Sequence, residues 1–248
     1  MTDDDKSNKS NSIDQRSSSD EDSRLHNQHK PTIILLSSTV LMLVWKYFGT
    51  VEFYTDVLAD RCNFGSPESM SAIYQFVSCL VLLGVIPGLI VKLVFRERLA
   101  DYGLQVGRRL YTIRSILVTV PIFVIAGFIA STDPGVREAF PINKQAGVST
   151  PFLLHVCTYV LYYVGWEFHF RGFLQFGLSD SMGRTGAVLI QVMASSLLHI
   201  GQPWTESMAA IGAGLFWGWL AYRTNSIASG LMQHIAIGVT VDAVIVFS

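Results

Sequence analysis

Glu167 and Arg171 stand four residues apart in the string GWEFHFRGFL, so on a helix they share one face and can pair. His199 closes a later apolar run, and Glu206 follows it beyond Gly201-Gln202-Pro203. His234 and Asp242 lie two turns apart in the last apolar run. A carboxylate beside two imidazoles can activate water for hydrolysis. The carboxylate takes the water's proton, and an imidazole donates to the oxyanion that develops. The same side chains are ordinary ligands for a divalent metal such as zinc, but no HExxH string or zinc-type cysteine spacing encodes a metal site, so the cofactor stays undefined.

Each residue also has a plain structural reading, as an ion pair holding a bundle or as a histidine bonding a neighbouring helix. An ionisable group inside a membrane costs several kcal/mol unless paired or hydrated, so several on adjacent apolar segments favour a site. His155 and His169 are read as structural. His169 lies two residues from Glu167, about 200° round a helix, and faces elsewhere. Gly212, Gly214 and Gly218 are read as small-residue helix contacts.

Seven apolar runs must position these groups, at about 32–49, 73–94, 114–131, 151–178, 187–201, 207–222 and 227–247. Each approaches the roughly 20 residues that a helix needs to cross a bilayer. At 1.5 Å per residue Glu167 falls about 16 Å from the inner end of its span, His199 about 18–20 Å and His234 about 10–12 Å. Those depths suit one mid-membrane cluster in an apolar core of about 30 Å. Asp242 falls nearer the outer side, and Glu206 joins only if the 201–206 turn folds back inward.

The chain has 248 residues, half of them apolar and 15% charged. The average conceals a division. Residues 1–30 hold 12 of the charges and only three aliphatic side chains, Met1, Ile13 and Leu25. They read as a disordered polar tail, and residues 31–248 as a membrane domain. That body is about 11% charged, against roughly a quarter in soluble domains, which excludes a soluble enzyme and a secreted disulfide scaffold. A formal net charge of −1 offers no general attraction to nucleic acid. Cys79 and Cys157 lie in apolar runs and Cys62 in a polar loop. The fold class is therefore all-α, a polytopic bundle of about seven transmembrane helices in contact with membrane lipid.

Loop charges set the orientation. Lys92, Arg96, Arg98, Arg108, Arg109 and Arg114 mark an inner loop, with Arg184 and Arg223 in the other two inner connections. One arrangement satisfies every loop: N-terminus cytoplasmic, C-terminus outside. The basic stretch 93–113 is expected along the inner membrane surface.

The strings WEFHFRGFLQFGL, QVMASSLLHIGQPWTE and RTNSIASGLMQHIAIGVTVD resemble the CAAX-prenyl-endopeptidase and bacteriocin-processing family, often called CPBP or Abi. Its motifs read EExxxR, FxxxH and HxxxN on successive membrane helices. LADYGLQVG resembles a stretch that precedes them, so the resemblance spans about residues 96–248, with its core at about 150–248. Glu167 and Arg171 match the second Glu and the Arg of the first motif, and His199 and His234 match the two His. Trp166, Ser195 and Gly238 depart from it, standing for the first Glu, the Phe and the Asn. A bacterial single-Glu branch, with EFFFRGF, HIGKPxxE and a late Asp, is the nearer likeness, through Glu167, Glu206 and Asp242.

The resemblance implies an intramembrane endopeptidase in a bacterial cell membrane, hydrolysing a peptide bond in a membrane-associated substrate. Glu167 or Glu206 would be the base, and Arg171 would orient Glu167. His199 and His234 would stabilise the oxyanion or hold a metal, with Asp242 as a further carboxylate. Two alternatives use the same residues: a non-catalytic binding or immunity protein, and a proton-coupled transporter.

Overall fold

The computed structural model describes residues 29–61 and 66–248. The tail reading and the Cys62 loop fall outside them, except that His29 and Lys30 already belong to the first helix. Seven long helical segments stand where the apolar runs predict them. They are α1 (His29–Phe48), α2 (Pro67–Val94), α3 (Arg109–Ala130), α5 (Phe152–Glu167) with its continuation, α6 (Gly177–Leu198), α7 (Trp204–Thr224) and α8 (Ala228–Phe247). A short helix, α4 (Pro134–Ala139), lies between α3 and α5. Among the described residues there is no strand, only two isolated bridges.

Most helices begin before the predicted spans, and polar residues mark the ends of two of them. Ser66 accepts from the Ser69 N–H and admits Pro67 at the first position of α2. Asn225 ends α7 in the left-handed conformation. From α5 the chain continues through wide turns over Phe168–Phe176 into α6, which Gly183 breaks with φ 68° and ψ 160°. Wide π-type turns of this kind recur at functional sites. The stretch 93–113 is no continuous helix: Gly103 and Gly107, both at positive φ, turn it before α3 begins at Arg109.

Four helices, α1, α2, α3 and α8, are long and apolar enough to cross a membrane. The protein is a polytopic membrane helix bundle of the all-α class. The remaining long helices supply much of the polar interior, among them Glu167 of α5, Gln191 of α6 and Thr224 of α7. From Gly165 to Gln175 every residue is buried, so this stretch is the axis of the bundle. Around it, α3 exposes Leu117, Val118, Ile122, Ile125 and Ile129.

Small residues set the close approaches. At Gly165 an added Cβ would lie 2.6 Å from the Cys79 carbonyl oxygen and 2.8 Å from Leu80 Cα, so α2 and α5 touch backbone to backbone. Gln191 and Gln175 donate to the carbonyls of Gly214 and Gly218, at 2.9 and 2.8 Å. The reading of Gly214 and Gly218 as helix contacts thus holds, whereas Gly212 faces open space.

The connections gather at two ends. At one end Lys30 pairs with Glu97 at 2.8 Å, the Arg108 N–H donates to the Thr224 carbonyl at 2.7 Å, and Ser226 donates to the Gln105 carbonyl. At the other, Thr205 donates to Asp133 at 3.0 Å, Ser69 bonds Thr150 at 2.6 Å and Arg137 donates to Ser248 at 2.9 Å. The basic connections thus share an end with the start of α1, and the C-terminus lies at the opposite end.

Candidate active site

The site is built on α5, where a four-residue period sets polar and aromatic groups on one face: His155, Tyr159, Tyr163, Glu167, Arg171 and Gln175. None is more than 3% exposed. α8 runs antiparallel to that face and presents Gly230, His234, Gly238 and Asp242 with the same period. His155 meets Asp242, Tyr163 meets Gly238, and Glu167 meets His234 and Gly230, whereas Arg171 and Gln175 engage Trp217 and Gly218 of α7.

At the central level Glu167 Oε1 accepts from Arg171 Nη1 at 3.2 Å and from His234 Nδ1 at 2.7 Å. With Nδ1–H donating, the Nε2 lone pair of a neutral His234 is left free. Glu167 is wholly buried, and its Oε2 has no hydrogen-bond partner among the described residues. Gly230 of α8 faces Oε2, and a Cβ there would stand 3.4 Å from it. Trp217 of α7 lies against both partners of Glu167. The Arg171 guanidinium sits 5.2 Å over its ring, and the His234 ring centroid lies 4.6 Å away. The indole N–H is tied to Gln233 Oε1 at 2.8 Å.

His199 sits just past the end of α6. Its Nδ1–H donates to the Ser195 carbonyl at 2.8 Å, which turns Nε2 toward Glu206 Oε1, 3.9 Å away. The 201–206 turn does fold back. Ser207 Oγ donates to the His199 carbonyl at 2.9 Å, and Gly201 at φ 98° makes the reversal. Trp166 bridges the two halves of the site. It is adjacent to Glu167, and its ring meets His199 edge-on at 5.4 Å while packing on Trp45 and Tyr162 of the apolar core. His199 is within electrostatic reach of His234 and Arg171.

Asp242 stands apart from this group. Its Oδ2 accepts from His155 Nε2 at 2.7 Å, and neither side chain is exposed. Along α8 it lies about 12 Å beyond His234. Sequence reasoning paired Asp242 with nothing and set His155 aside. The signal was the period itself, a polar or aromatic side chain at every fourth position from 155 to 175. Tyr163, Trp217 and Gly238 were missed as a set because their meeting requires three helices. His169 faces elsewhere, as expected, buried between the rings of Phe170 and Phe173.

Among the described residues no group of three or more His, Cys, Asp and Glu side chains is placed to hold a metal ion. Of these four residue types, His234 alone reaches Glu167 among the described residues, and His199 with Glu206 forms a separate pair. As arranged among the described residues, the donor set does not fit a metal.

Fold and site together define a class: a polytopic helical membrane protein with a buried carboxylate held between a guanidinium and an imidazole. Residues 147–240, under half of the chain, match the family model described as Rce1-like, type II CAAX prenyl endopeptidase Rce1-like. That family agrees with the one its motif strings resemble, and at family level the match is to membrane endopeptidases of the CAAX-protease type. The matched segment contains Glu167, Arg171, His199, Glu206 and His234, and ends before Asp242. No curated protein and no solved structure showed significant similarity to the chain.

Proposed function

We propose that this protein is an intramembrane endopeptidase that hydrolyses a peptide bond of a membrane-associated substrate, with Glu167 as the general base. One observation carries the reading. Arg171 and His234 both engage Oε1 of Glu167, and Oε2 is left as an acceptor with no partner among the described residues. A water hydrogen-bonded to Oε2 would give its proton to the carboxylate as its oxygen bonds to the scissile carbonyl carbon. The carbonyl π pair moves onto oxygen. His199 would donate to that oxyanion through Nε2–H when its ring carries both protons. Collapse of the intermediate expels the amine, which takes the proton from Glu167. Arg171 keeps Glu167 in place throughout.

The substrate segment would enter laterally from lipid or from the cytoplasmic side, since Glu167 itself is closed to solvent. The protein would lie in a bacterial cell membrane with its N-terminus and basic connections cytoplasmic and its C-terminus outside. The gathering of those connections at one end supports this orientation.

The complete burial of Glu167 favours one other reading, a non-catalytic membrane protein that binds or sequesters a peptide. The test is cleavage by the purified protein in lipid of a library of membrane-anchored peptides, prenylated and unprenylated, with new termini read by mass spectrometry. Products lost in both Glu167→Ala and His199→Ala, with insertion preserved, are expected. Full activity in both variants overturns the assignment. A folded protein that binds a peptide and leaves it intact, with Glu167→Gln tolerated, establishes the binding reading.

A further inference from the structure

The imidazole of His234 meets Glu167 through one atom only, yet two aromatic rings pack against it. The Tyr163 ring lies 4.6 Å away at 51°, and the Trp217 ring lies 4.6 Å away at 34°. Tyr163 and Trp217 are only 2% and 5% exposed. Three features hold the pair in position. Tyr163 stands one turn before Glu167 on the same helix face. Its hydroxyl enters a notch in α8 that exists because residue 238 is glycine, where any Cβ would overlap that hydroxyl. Trp217 is anchored through Gln233, the neighbour of His234 in the chain.

We infer that Tyr163 and Trp217 clamp the His234 ring from either side, and that Tyr163 is a positioning residue of the Glu167 site. A half-turn of the imidazole about its Cβ–Cγ axis would exchange Nδ1 for Cδ2 and abolish the 2.7 Å contact with Glu167. Rings packed on both sides obstruct that half-turn, so Nδ1–H stays on Oε1 and Oε2 stays free. Trp217 adds a second constraint, because the same indole supports the Arg171 guanidinium. The pairing of Tyr163 with Gly238 thereby couples the rotation of α5 to that of α8, one turn from the carboxylate. The consequence for turnover rests on the endopeptidase reading, whereas the clamp itself does not.

The experiment uses the full chain in detergent micelles with histidine labelled with ¹⁵N in the ring, and His234 assigned through His234→Gln. The wild type is expected to show His234 in a single Nδ1–H form. Tyr163→Leu should replace it with signals averaged over both tautomers, while Tyr163→Phe, which keeps the ring, should restore the wild-type pattern. Where a cleavable peptide is in hand, kcat should fall about tenfold in Tyr163→Leu with KM unchanged, and stay within about threefold in Tyr163→Phe. Unchanged His234 signals in Tyr163→Leu overturn the clamp, as does a Tyr163→Phe variant equally damaged. Should Tyr163→Leu fail to fold, Trp217→Leu opens the opposite side, and unchanged signals there overturn the clamp equally. Altered His234 signals in a protein that cleaves no peptide sustain the clamp and remove the endopeptidase reading.

Discussion

His234 Nδ1 lies 2.7 Å from Glu167 Oε1 although 67 residues separate them in the chain. This contact joins α5 to α8 at the level of Arg171 and makes the Glu167 carboxylate asymmetric, with one oxygen bonded by two donors and the other without a partner among the described residues. The proposed mechanism and the stability of the Glu167–Arg171 pair both turn on that asymmetry.

Removing the guanidinium should be felt in stability before activity. Arg171→Met leaves the buried Glu167 charge with only His234, and breaking a buried pair typically costs about 3–5 kcal/mol. Thermal unfolding in detergent should show this loss, with Arg171→Met/Glu167→Gln recovering part of it. Wild-type stability in Arg171→Met would show that the pair carries no structural weight. Glu167→Gln alone should lower cleavage about 10²- to 10⁴-fold, the range for a general base.

The His155–Asp242 pair should behave differently. Its members engage each other, and Asp242 lies about 12 Å along α8 from His234. Asp242→Ala alone is expected to destabilise strongly because it strands a buried polar partner. The double change His155→Leu/Asp242→Leu should return stability to within about 2 kcal/mol of wild type and keep cleavage. Cleavage lost in a stable double variant would instead place Asp242 in the chemistry.

Asp133 links the α3–α4 connection to the start of α7, beside the turn that carries Glu206. A hydrogen bond from Thr205, then one from the Gly135 N–H, hold its carboxyl below the usual aspartate value. A lowered folded pKa means that this carboxylate's contribution is fully present above about pH 4, the unfolded value, and is lost as pH falls through the folded one. Asp133→Asn should therefore flatten the acid side of the stability curve. An identical acid limb in wild type and variant would show that the contact adds nothing.

Close packing at Gly165 gives a purely steric prediction. A methyl there would press on the Cys79 carbonyl and the Leu80 backbone, and neither can rotate away. Gly165→Ala should cost about 1–3 kcal/mol, the usual range for overpacking, read as a lowered unfolding temperature. A neutral result would mean that α2 can move away from α5.

Addition of zinc should leave the unfolding temperature unchanged, since no three ligand side chains converge among the described residues. Stabilisation by stoichiometric zinc would require His199 or Glu206 to move onto the Glu167–His234 pair.

Much of this architecture is local information, and local information is legible in a sequence. Hydropathy places the seven long helical segments because each apolar run must be buried or face lipid wherever it packs. The Glu167–Arg171 pairing follows from helix geometry alone, and loop charges sort the connections into the two groups that meet at opposite ends. The helix at His29 and the turns at 93–113 were less legible, since end residues and glycines act through a few atoms that periodicity does not weigh. Tertiary structure decided the rest. Whether His234 meets Glu167, whether Glu206 folds back to His199, and that Asp242 takes His155 instead, all depend on how far each helix is rotated and slid against its neighbour. Rotation and register are set by close approaches such as Gly165 on Cys79 and Tyr163 in the Gly238 notch. Each arises between residues far apart in the chain, where spacing along one segment says nothing about its partner.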